Sequence, residues 1–139
     1  MAPLQTHELR IEVQPEDIRG AHVNFGRYFD YINRAFTGWY ALMHVGPGES
    51  PGYSFPTVHV EYDFLGEVAY PGAVLVKLRV ARVGRASMDH AIEVHDVSPG
   101  LEPRLVGRGK AVHAWLNRTT GKSEAWAASV LAKCWDADG

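Results

Sequence analysis

Two residues able to take part in catalysis and one helix-capping residue stand close together in PEDIRGAHVNFGRYFDYINRAF, residues 15–36. The Asp17 carboxylate could act as a nucleophile or as a general base on water. The His22 imidazole could orient that carboxylate or a substrate. Asn24 is a favourable N-cap residue, so a helix is expected to begin directly after it. The three side chains are therefore predicted to gather at the start of one helix.

The start of a helix can also bind an anionic oxygen. Its first N–H groups, around Asn24 to Arg27, lack partners within the helix, and the helix dipole adds to their effect. One such donor lowers the barrier to acyl transfer by about 3 kcal/mol when it binds the oxyanion. Gly20 and Gly26 let the backbone approach a ligand closely. The pattern predicts a carboxylate facing a helix N-terminus, with space between them for a polar group of a ligand.

Each of these residues also has an ordinary structural interpretation. Loop acids and helix caps are common, so Asp17 could be a loop acid and Asn24 a cap without further function. His22 could be a helix-entry residue bonded to the backbone. Tyr28, one turn into the helix, is expected in the core. From the residues alone, the chemical and structural interpretations both stay open.

Composition restricts the class of protein. The chain has 139 residues and nearly half of them are apolar, which suits one domain over residues 1–139. A net charge of −2 gives no strong attraction to nucleic acid or to an anionic membrane. No apolar run approaches the length of a membrane span, and the N-terminus lacks a signal-peptide pattern. The single cysteine, Cys134, cannot form an internal disulfide, so a cytoplasmic location fits best.

Periodicity predicts one strand followed by one long helix. HELRIEVQ alternates apolar and polar residues, as a half-buried strand does. After Asn24, apolar residues recur every three or four positions, which predicts an amphipathic helix that stops at VGPGES, with Gly46 past its end and Pro47 beyond. The apolar stripe consists of Phe25, Tyr28, Phe29, Ile32, Ala35, Phe36, Trp39, Leu42 and Met43.

The rest of the chain, from Thr57 onward, is rich in β-forming residues. VHVEYDFL, AVLVKLRVARV, SMDHAIEVHDV and LVGRGKAVHAWLN each predict a strand, and turn sequences separate them. Gly107 and Gly109 in the last strand indicate a bulge or a close backbone approach. The tail, SEAWAASVLAKCW, is either a short helix or irregular.

The order of elements predicts a two-layer α+β domain. One apolar helix and one antiparallel sheet must bury their faces against each other, which places one long helix across a roughly five-stranded antiparallel sheet. A lone helix covers part of such a sheet and leaves long edges exposed. A homodimer or homotetramer is the natural way to cover them.

These pieces, in this order, resemble the hotdog-fold acyl-CoA thioesterases of the 4-hydroxybenzoyl-CoA thioesterase type. The similarity covers nearly the whole chain: Asp17 followed by GAHVNFGRY, then FPTVHVEYDFLGEVAYPGAVLVKLRVARVGRAS, then VGRGKAVHAWLNRTTGK. The resemblance implies a hotdog fold and hydrolysis of an acyl-CoA to free acid and CoA, with no cofactor. It also implies an active site at a subunit interface, with Asp17 as the catalytic carboxylate.

One loop departs from the family pattern. Relatives typically have three residues between the aspartate and the histidine, whereas four residues separate Asp17 from His22. Glu16 is therefore the alternative carboxylate, and Arg19 stands near a position where many relatives carry a second aspartate. Asn33 stands where many relatives carry a glutamate on the helix, and a neutral amide cannot be a base.

The resemblance also implies which residues contact the substrate. At the helix start, the expected substrate-binding residues are Gly20, Asn24, Phe25, Gly26 and Tyr28. Ser87 matches a position that often lies near the acyl-thioester site, with an ordinary turn serine as the alternative.

Basic residues are candidates for the CoA phosphates, because arginine suits phosphate recognition. The cluster of Arg79, Arg82 and Arg85 follows a strand that is expected to end near the ligand mouth. The full set is Arg79, Arg82, Arg85, Arg104, Arg108 and Lys110.

No metal is expected. His59, Glu61 and Asp63 share one strand face, but metal ligands usually converge from several elements. This face is expected to be wet or interfacial.

Two other functions stay open. Asp17 and His22 are five positions apart, as in the hotdog enoyl-CoA hydratases, which use both residues to handle water at a double bond. Those enzymes usually carry Asn-Pro between the two residues, and DIRGAH lacks both, whereas VNFGRYFDY fits the thioesterases better. The other alternative is a non-catalytic acyl-CoA-binding module.

Overall fold

The computed structural model describes residues 6–45 and 50–132. The strands are β1 Thr6–Glu12, β2 Ile18–Arg19, β3 His22–Val23, β4 Tyr53–Ser54, β5 Thr57–Phe64, β6 Ala73–Val83, β7 Ser87–Asp96, β8 Arg104–Ala114 and β9 Leu116–Asn117. The helices are α1 Phe25–Met43 and α2 Ala128–Leu131, and a 3₁₀ turn spans Pro15–Asp17.

Five of the strands form one antiparallel sheet in the order β1–β6–β7–β8–β5. Alternate residues of β6 form the centre of the core, because they face α1 and are fully buried; they are Val74, Val76, Leu78 and Val80. The long helix packs against β1 and β6. The structure confirms the predicted two-layer α+β architecture, with one long helix on a five-stranded antiparallel sheet.

The long helix begins where the sequence predicts. The Asn24 side chain accepts a hydrogen bond from the Gly26 N–H at 3.3 Å, which confirms the N-cap. The residue after the helix, His44, takes a left-handed conformation with a φ of 56°. The predicted helix stop at Gly46 and Pro47 lies outside the described residues.

The apolar stripe of α1 is narrower in the structure than in the prediction. Six of its nine predicted members are buried: Tyr28, Ile32, Ala35, Phe36, Trp39 and Met43. Phe25, Phe29 and Leu42 stay 66%, 38% and 47% exposed. Of these three, Phe25 and Phe29 meet rings of the exposed edge strand β5.

One edge of the sheet, β5, is exposed on both faces. Its predicted apolar face is only partly covered, and Val58, Val60 and Phe64 are 59%, 50% and 49% exposed. The opposite edge, β1, alternates exposed residues, three of them charged, with half-buried or buried ones, and such charges discourage edge-to-edge pairing. The apolar β5 edge is therefore the part of the fold that most lacks a partner.

The last predicted strand contains a close backbone approach and a break. A Cβ atom at Gly109 would collide with the Glu61 carbonyl oxygen, and one at Gly107 would collide with the Tyr62 hydroxyl, so both positions require glycine. The strand then divides after Ala114 into β8 and β9, and β9 pairs with β4. The tail contains the short helix α2, and Cys134 lies outside the described residues.

Neither α1 nor α2, the two α-helices in residues 6–45 and 50–132, combines the length and the apolar character needed to cross a membrane.

Candidate active site

A short folded unit between β1 and α1 carries the predicted catalytic residues. The 3₁₀ turn ends at Asp17, and β2 and β3 then form a tight hairpin in which Ile18 pairs with Val23. Gly20 has a φ of 70° and takes the first central position of the two-residue turn, as in a type II′ turn. The hairpin accommodates the extra residue that separates Asp17 from His22.

Asp17 is buried and its carboxylate is held from three sides. Its Oδ2 atom accepts hydrogen bonds from the Gln14 N–H at 2.9 Å and from the Tyr31 hydroxyl at 2.8 Å. Its Oδ1 atom lies 3.6 Å from Nε of Arg27. Two donors thus occupy Oδ2, while Oδ1 faces a guanidinium that is 42% exposed. Oδ1 is the oxygen that remains available for chemistry.

The Tyr31 hydroxyl remains a proton donor in this environment. Burial, and secondarily its hydrogen bond to the Asp17 carboxylate, raise the pKa of Tyr31 above that of an ordinary phenol. Glu16, the alternative carboxylate, is exposed on the neighbouring turn residue. The local geometry therefore restrains Asp17 much more strongly than Glu16.

The N–H groups at the helix start are not equally available. The Asn24 N–H donates to the Asp17 carbonyl oxygen and the Arg27 N–H donates to the Asn24 carbonyl oxygen, both at 2.9 Å. The Gly26 N–H makes the long 3.3 Å bond to the cap. The Phe25 N–H has no acceptor among the described residues. Of the four N–H groups expected to bind an oxyanion, that of Phe25 is therefore available. The Gly26 N–H, with its long bond to the cap, is a second candidate.

The backbone at this point is open to a ligand. A Cβ atom added at Gly26 would meet no atom within 4 Å, and the same holds for Gly20. The Phe25 ring is largely exposed beside them and meets Phe64 of β5 edge-on, with ring centroids 6.2 Å apart. Phe29 and Tyr62 extend this cluster, and their ring centroids are 5.7 Å apart. An exposed aromatic surface, made of Phe25, Phe29, Tyr62 and Phe64, therefore adjoins the helix start.

Two of the predicted site residues have other partners. The Nδ1 atom of His22 lies 3.0 Å from a carboxylate oxygen of Glu67, so His22 contacts Glu67 rather than Asp17. Tyr28 is buried, and its hydroxyl accepts a hydrogen bond from the Val68 N–H at 3.3 Å. Tyr28 is therefore a core residue that anchors a loop, as its place one turn into the helix predicted, and the substrate contact stays a prediction.

Ser87, Arg82 and Arg85 lie far from Asp17 in the same chain. Asp17 follows β1, which ends beside the start of β6 and the end of β7. Ser87 begins the ten-residue strand β7, so it lies about 30 Å away along the sheet. Arg85 lies in the turn between β6 and β7, and Arg82 lies near the end of β6. One chain alone does not bring these three residues to the helix start, because β7 runs the full length of the sheet between them.

The other basic candidates are distributed over several places. Arg104 lies at the Asp17 end of the sheet, where it pairs with buried Asp96 at 3.2 Å. Lys110 lies 3.6 Å from Glu61, which also lies 3.5 Å from His59. Within the described residues, no group of three or more His, Cys, Asp and Glu side chains is arranged to hold a metal ion.

Sequence reasoning missed four contacts of the site, those of Gln14, Arg27, Tyr31 and Glu67. Gln14, Arg27 and Tyr31 contact Asp17, and Glu67 contacts His22. A buried tyrosine usually finds a partner for its hydroxyl, so the tyrosine in YFDYI two turns into α1 was a usable signal. Nothing local in GEVAY indicates that Glu67 meets His22.

The fold agrees with comparisons to known proteins. The family model of the Thioesterase-like superfamily matches residues 13–134. This chain therefore belongs to the Thioesterase-like superfamily. No relative was found among the curated proteins.

Solved structures share the hotdog fold with this chain at low sequence identity. A 1,4-dihydroxy-2-naphthoyl-CoA thioesterase from Synechocystis has a TM-score of 0.83 and 17% identity, over 97% of this chain and 99% of that one. The 4-hydroxybenzoyl-CoA thioesterase of Pseudomonas sp. strain CBS-3 has a TM-score of 0.82 and 15% identity, over 93% and 99%. A hypothetical protein from Staphylococcus aureus, solved in complex with CoA, has a TM-score of 0.85 and 14% identity, over 96% and 84%. The predicted hotdog fold is confirmed.

Proposed function

We propose that this protein is an acyl-CoA thioesterase, which hydrolyses an acyl-CoA to a free acid and CoA. The observation that carries the proposal is the Asp17 carboxylate, which Gln14, Tyr31 and Arg27 hold beside the start of α1. Membership of the Thioesterase-like superfamily supports the reaction class. The names of two similar structures, both thioesterases of aromatic acyl-CoAs, support the substrate class.

The chemistry follows from the two oxygens of Asp17. Oδ1 either attacks the thioester carbon or takes a proton from the water that attacks it. The carbonyl oxygen becomes negative and accepts a hydrogen bond from the Phe25 N–H at the positive end of α1. The bond between carbon and sulfur then breaks, CoA leaves as a thiolate, and the sulfur takes a proton. Water supplies the oxygen of the free acid.

A second subunit completes this site in our proposal. The two ends of β5 have different neighbours. Phe64, at one end, contacts Phe25 at the start of α1, and Thr57, at the other end, pairs with His113 of β8. If two copies pair their β5 edges antiparallel about a two-fold axis, the Phe64 end of one copy meets the Thr57 end of the other. Ser87 of the partner subunit lies near the Thr57 end of the partner's β5. Within one chain, Ser87 pairs with Ala114, and the neighbouring His113 pairs with Thr57.

The same two-fold arrangement places a basic turn at the site. Arg85 lies in the turn that leads into Ser87, and Arg82, near the end of β6, has a side chain that is 66% exposed. In the dimer, Arg82 and Arg85 of the partner subunit lie at the same end as Asp17. They are the side chains proposed to meet the CoA phosphates.

An acyl-CoA panel tests the proposal. Purified protein is incubated with short-chain, long-chain and aromatic acyl-CoAs, and free CoA thiol is followed with a thiol reagent. Turnover of at least one acyl-CoA with release of thiol is expected. Hydration of an enoyl-CoA without thiol release would identify a hydratase instead, and binding of acyl-CoA without any turnover would identify a binding module.

A further inference from the structure

A second acid–imidazole pair lies near Asp17. His22, on β3, is three residues from the start of α1, and its Nδ1 atom lies 3.0 Å from Oε2 of Glu67. The two side chains are 45% and 69% exposed, so a ligand at the helix start can reach them. Glu67 belongs to residues 65–72, which connect β5 and β6. The pair therefore joins two separate parts of the chain beside the proposed site.

The backbone around Glu67 is fixed on three sides. The Val68 N–H donates to the Tyr28 hydroxyl of α1, and the Val68 carbonyl oxygen accepts from the Val23 N–H of β3 at 2.8 Å. The Glu67 carbonyl oxygen accepts from the guanidinium of Arg104. The loop is thus tied to α1, to β3 and to β8, and the Glu67 side chain is directed from a restrained backbone.

A buried carboxylate holds Arg104 in turn. Asp96 is 3% exposed, and its Oδ2 atom accepts from Arg104 at 3.2 Å. Its Oδ1 atom accepts from the N–H of Ser98 at 3.0 Å and from the Ser98 hydroxyl at 2.5 Å. Arg104 is itself half exposed, so this pair is buried on the Asp96 side alone, and Asp96 holds the guanidinium at the Glu67 carbonyl oxygen. Here it fixes the loop that carries Glu67.

The contact favours one tautomer of a neutral His22 ring. A carboxylate can only accept a hydrogen bond, so a neutral ring that bonds to Glu67 carries its proton on Nδ1 and keeps a free lone pair on Nε2. We propose that Glu67 is a positioning residue that holds His22 in this tautomer and directs Nε2 to the reaction. The proposal rests on the thioesterase function proposed above, in the route where Asp17 is the nucleophile.

In that route the first step forms an acyl–Asp17 anhydride and releases CoA as a thiolate. The second step requires water to lose a proton while its oxygen bonds to the acyl carbon. Nε2 of His22 accepts that proton, the bond between the acyl carbon and the Asp17 oxygen breaks, and the carboxylate is restored. The imidazolium then gives its proton to the thiolate or to solvent, so the products are the acid and CoA thiol.

The kinetic experiment compares two matched histidine–glutamate pairs. Glu67→Met removes both acceptor oxygens and keeps the length of the side chain. Glu93→Met is the control, because Glu93 lies 2.9 Å from His95 on the outer face of the sheet, opposite to the face that α1 covers. Glu67→Met should release a rapid burst of about one CoA per site and then turn over about tenfold more slowly than wild type, since a positioned base contributes at least that much. Glu93→Met should behave as wild type.

A conservative variant separates positioning from a general structural effect. Glu67→Gln keeps one side-chain oxygen that can accept from Nδ1, so it should retain more activity than Glu67→Met. Equal steady-state rates for wild type and Glu67→Met, or the same loss in Glu93→Met, would overturn the proposal.

The tautomer is measured without any turnover. Nitrogen-15 NMR of the whole protein at alkaline pH, where an ordinary imidazole is neutral, should show the His22 proton on Nδ1 in wild type and mainly on Nε2 in Glu67→Met. An unchanged tautomer contradicts the role of Glu67 even if no acyl-CoA is hydrolysed. If the thioesterase proposal fails but the role of Glu67 holds, Glu67→Met will shift the His22 tautomer as expected, and no acyl-CoA will release CoA.

Discussion

The hydroxyl of Tyr31 donates a 2.8 Å hydrogen bond to Oδ2 of Asp17, and both side chains are buried. This bond crosses from the middle of α1 to the turn before it. It leaves Oδ1 as the oxygen of Asp17 that can reach a substrate. In the proposed mechanism, Tyr31 and the Gln14 N–H together occupy Oδ2 and leave Oδ1 for the reaction.

Replacing Tyr31 by phenylalanine tests this relationship. Tyr31→Phe keeps the ring and removes the donor, and a hydrogen bond to a charged group is worth about 2 kcal/mol. We expect kcat to fall about tenfold or more with little change in KM. Tyr53→Phe is the matched control, since the Tyr53 hydroxyl donates to Glu124 at 2.9 Å at the other end of α1. An equal loss of kcat in both variants would remove Tyr31 from the mechanism.

A pair of buried histidines predicts loss of stability in acid. His90 and His113 are fully buried between α1 and the sheet, with ring centroids 5.6 Å apart. Burial, and secondarily His113, lowers the pKa of His90 to about 3, and burial lowers the pKa of His113 to about 4. Tyr40 and Thr57 contact His113 through their hydroxyls, and no described carboxylate is bonded to either ring.

The sign of this effect follows from linkage. Below an ordinary histidine pKa of about 6.5 the unfolded chain binds protons that the folded chain excludes, so the free energy of unfolding falls as the pH drops towards about 4. Each histidine contributes about 2 kcal/mol of that loss by pH ~5. Urea unfolding of His90→Leu should therefore lose less stability between pH 7 and 5 than wild type does. A control variant of exposed His59, His59→Gln, should follow the wild-type curve.

The β5 edge predicts a dimer that one charge can disrupt. Val60 is 50% exposed in the middle of this edge, and a lysine there opposes pairing with a second copy. Val60→Lys should sediment as a monomer at micromolar concentration while wild type sediments as a dimer. Glu8→Lys, on the opposite edge strand β1, should stay dimeric. A wild-type monomer would contradict the two-subunit site.

Arg82 and Arg85, beside and in the turn before Ser87, are expected to bind the CoA phosphates. Removing one exposed cation from a phosphate contact costs about 1 kcal/mol, which corresponds to about a fivefold change in affinity. Arg82→Ala and Arg85→Ala should each raise KM for an acyl-CoA by about that factor while kcat changes little. Arg108→Ala, on the outer face of the sheet, provides a comparison. If KM responds only in Arg108→Ala, the phosphates bind on that face.

The elements of the fold could be predicted because their signals are local. Alternation in β6 and the cap at Asn24 each depend on neighbours in the sequence, and both agree with the structure. The exposure of Phe25 could not be predicted, because it depends on how far the sheet extends beneath α1. The distance between Ser87 and Asp17 depends on the register of the strands, and the spacing of apolar residues in the sequence does not specify that register.

The partners of the site residues depend on contacts between distant segments. His22 and Glu67 meet because the β5–β6 loop is tied to α1 and β3. His90 and His113 occupy inward positions of β7 and β8 that read as ordinary polar residues in the sequence. Such contacts arise from tertiary packing, which is why local reasoning found Asp17 and Asn24 but missed Tyr31 and Glu67.

The role of Asp17 is tested by comparing two neighbouring carboxylates in one assay of CoA release. Asp17→Asn keeps the size of the side chain and can still accept from Tyr31, but it removes the charge. We expect its kcat to fall by about 100-fold or more, with an unchanged melting temperature, while Glu16→Gln stays within about threefold of wild type. A reversed result would move the catalytic carboxylate to Glu16, and full activity in both variants would contradict a carboxylate mechanism in this protein.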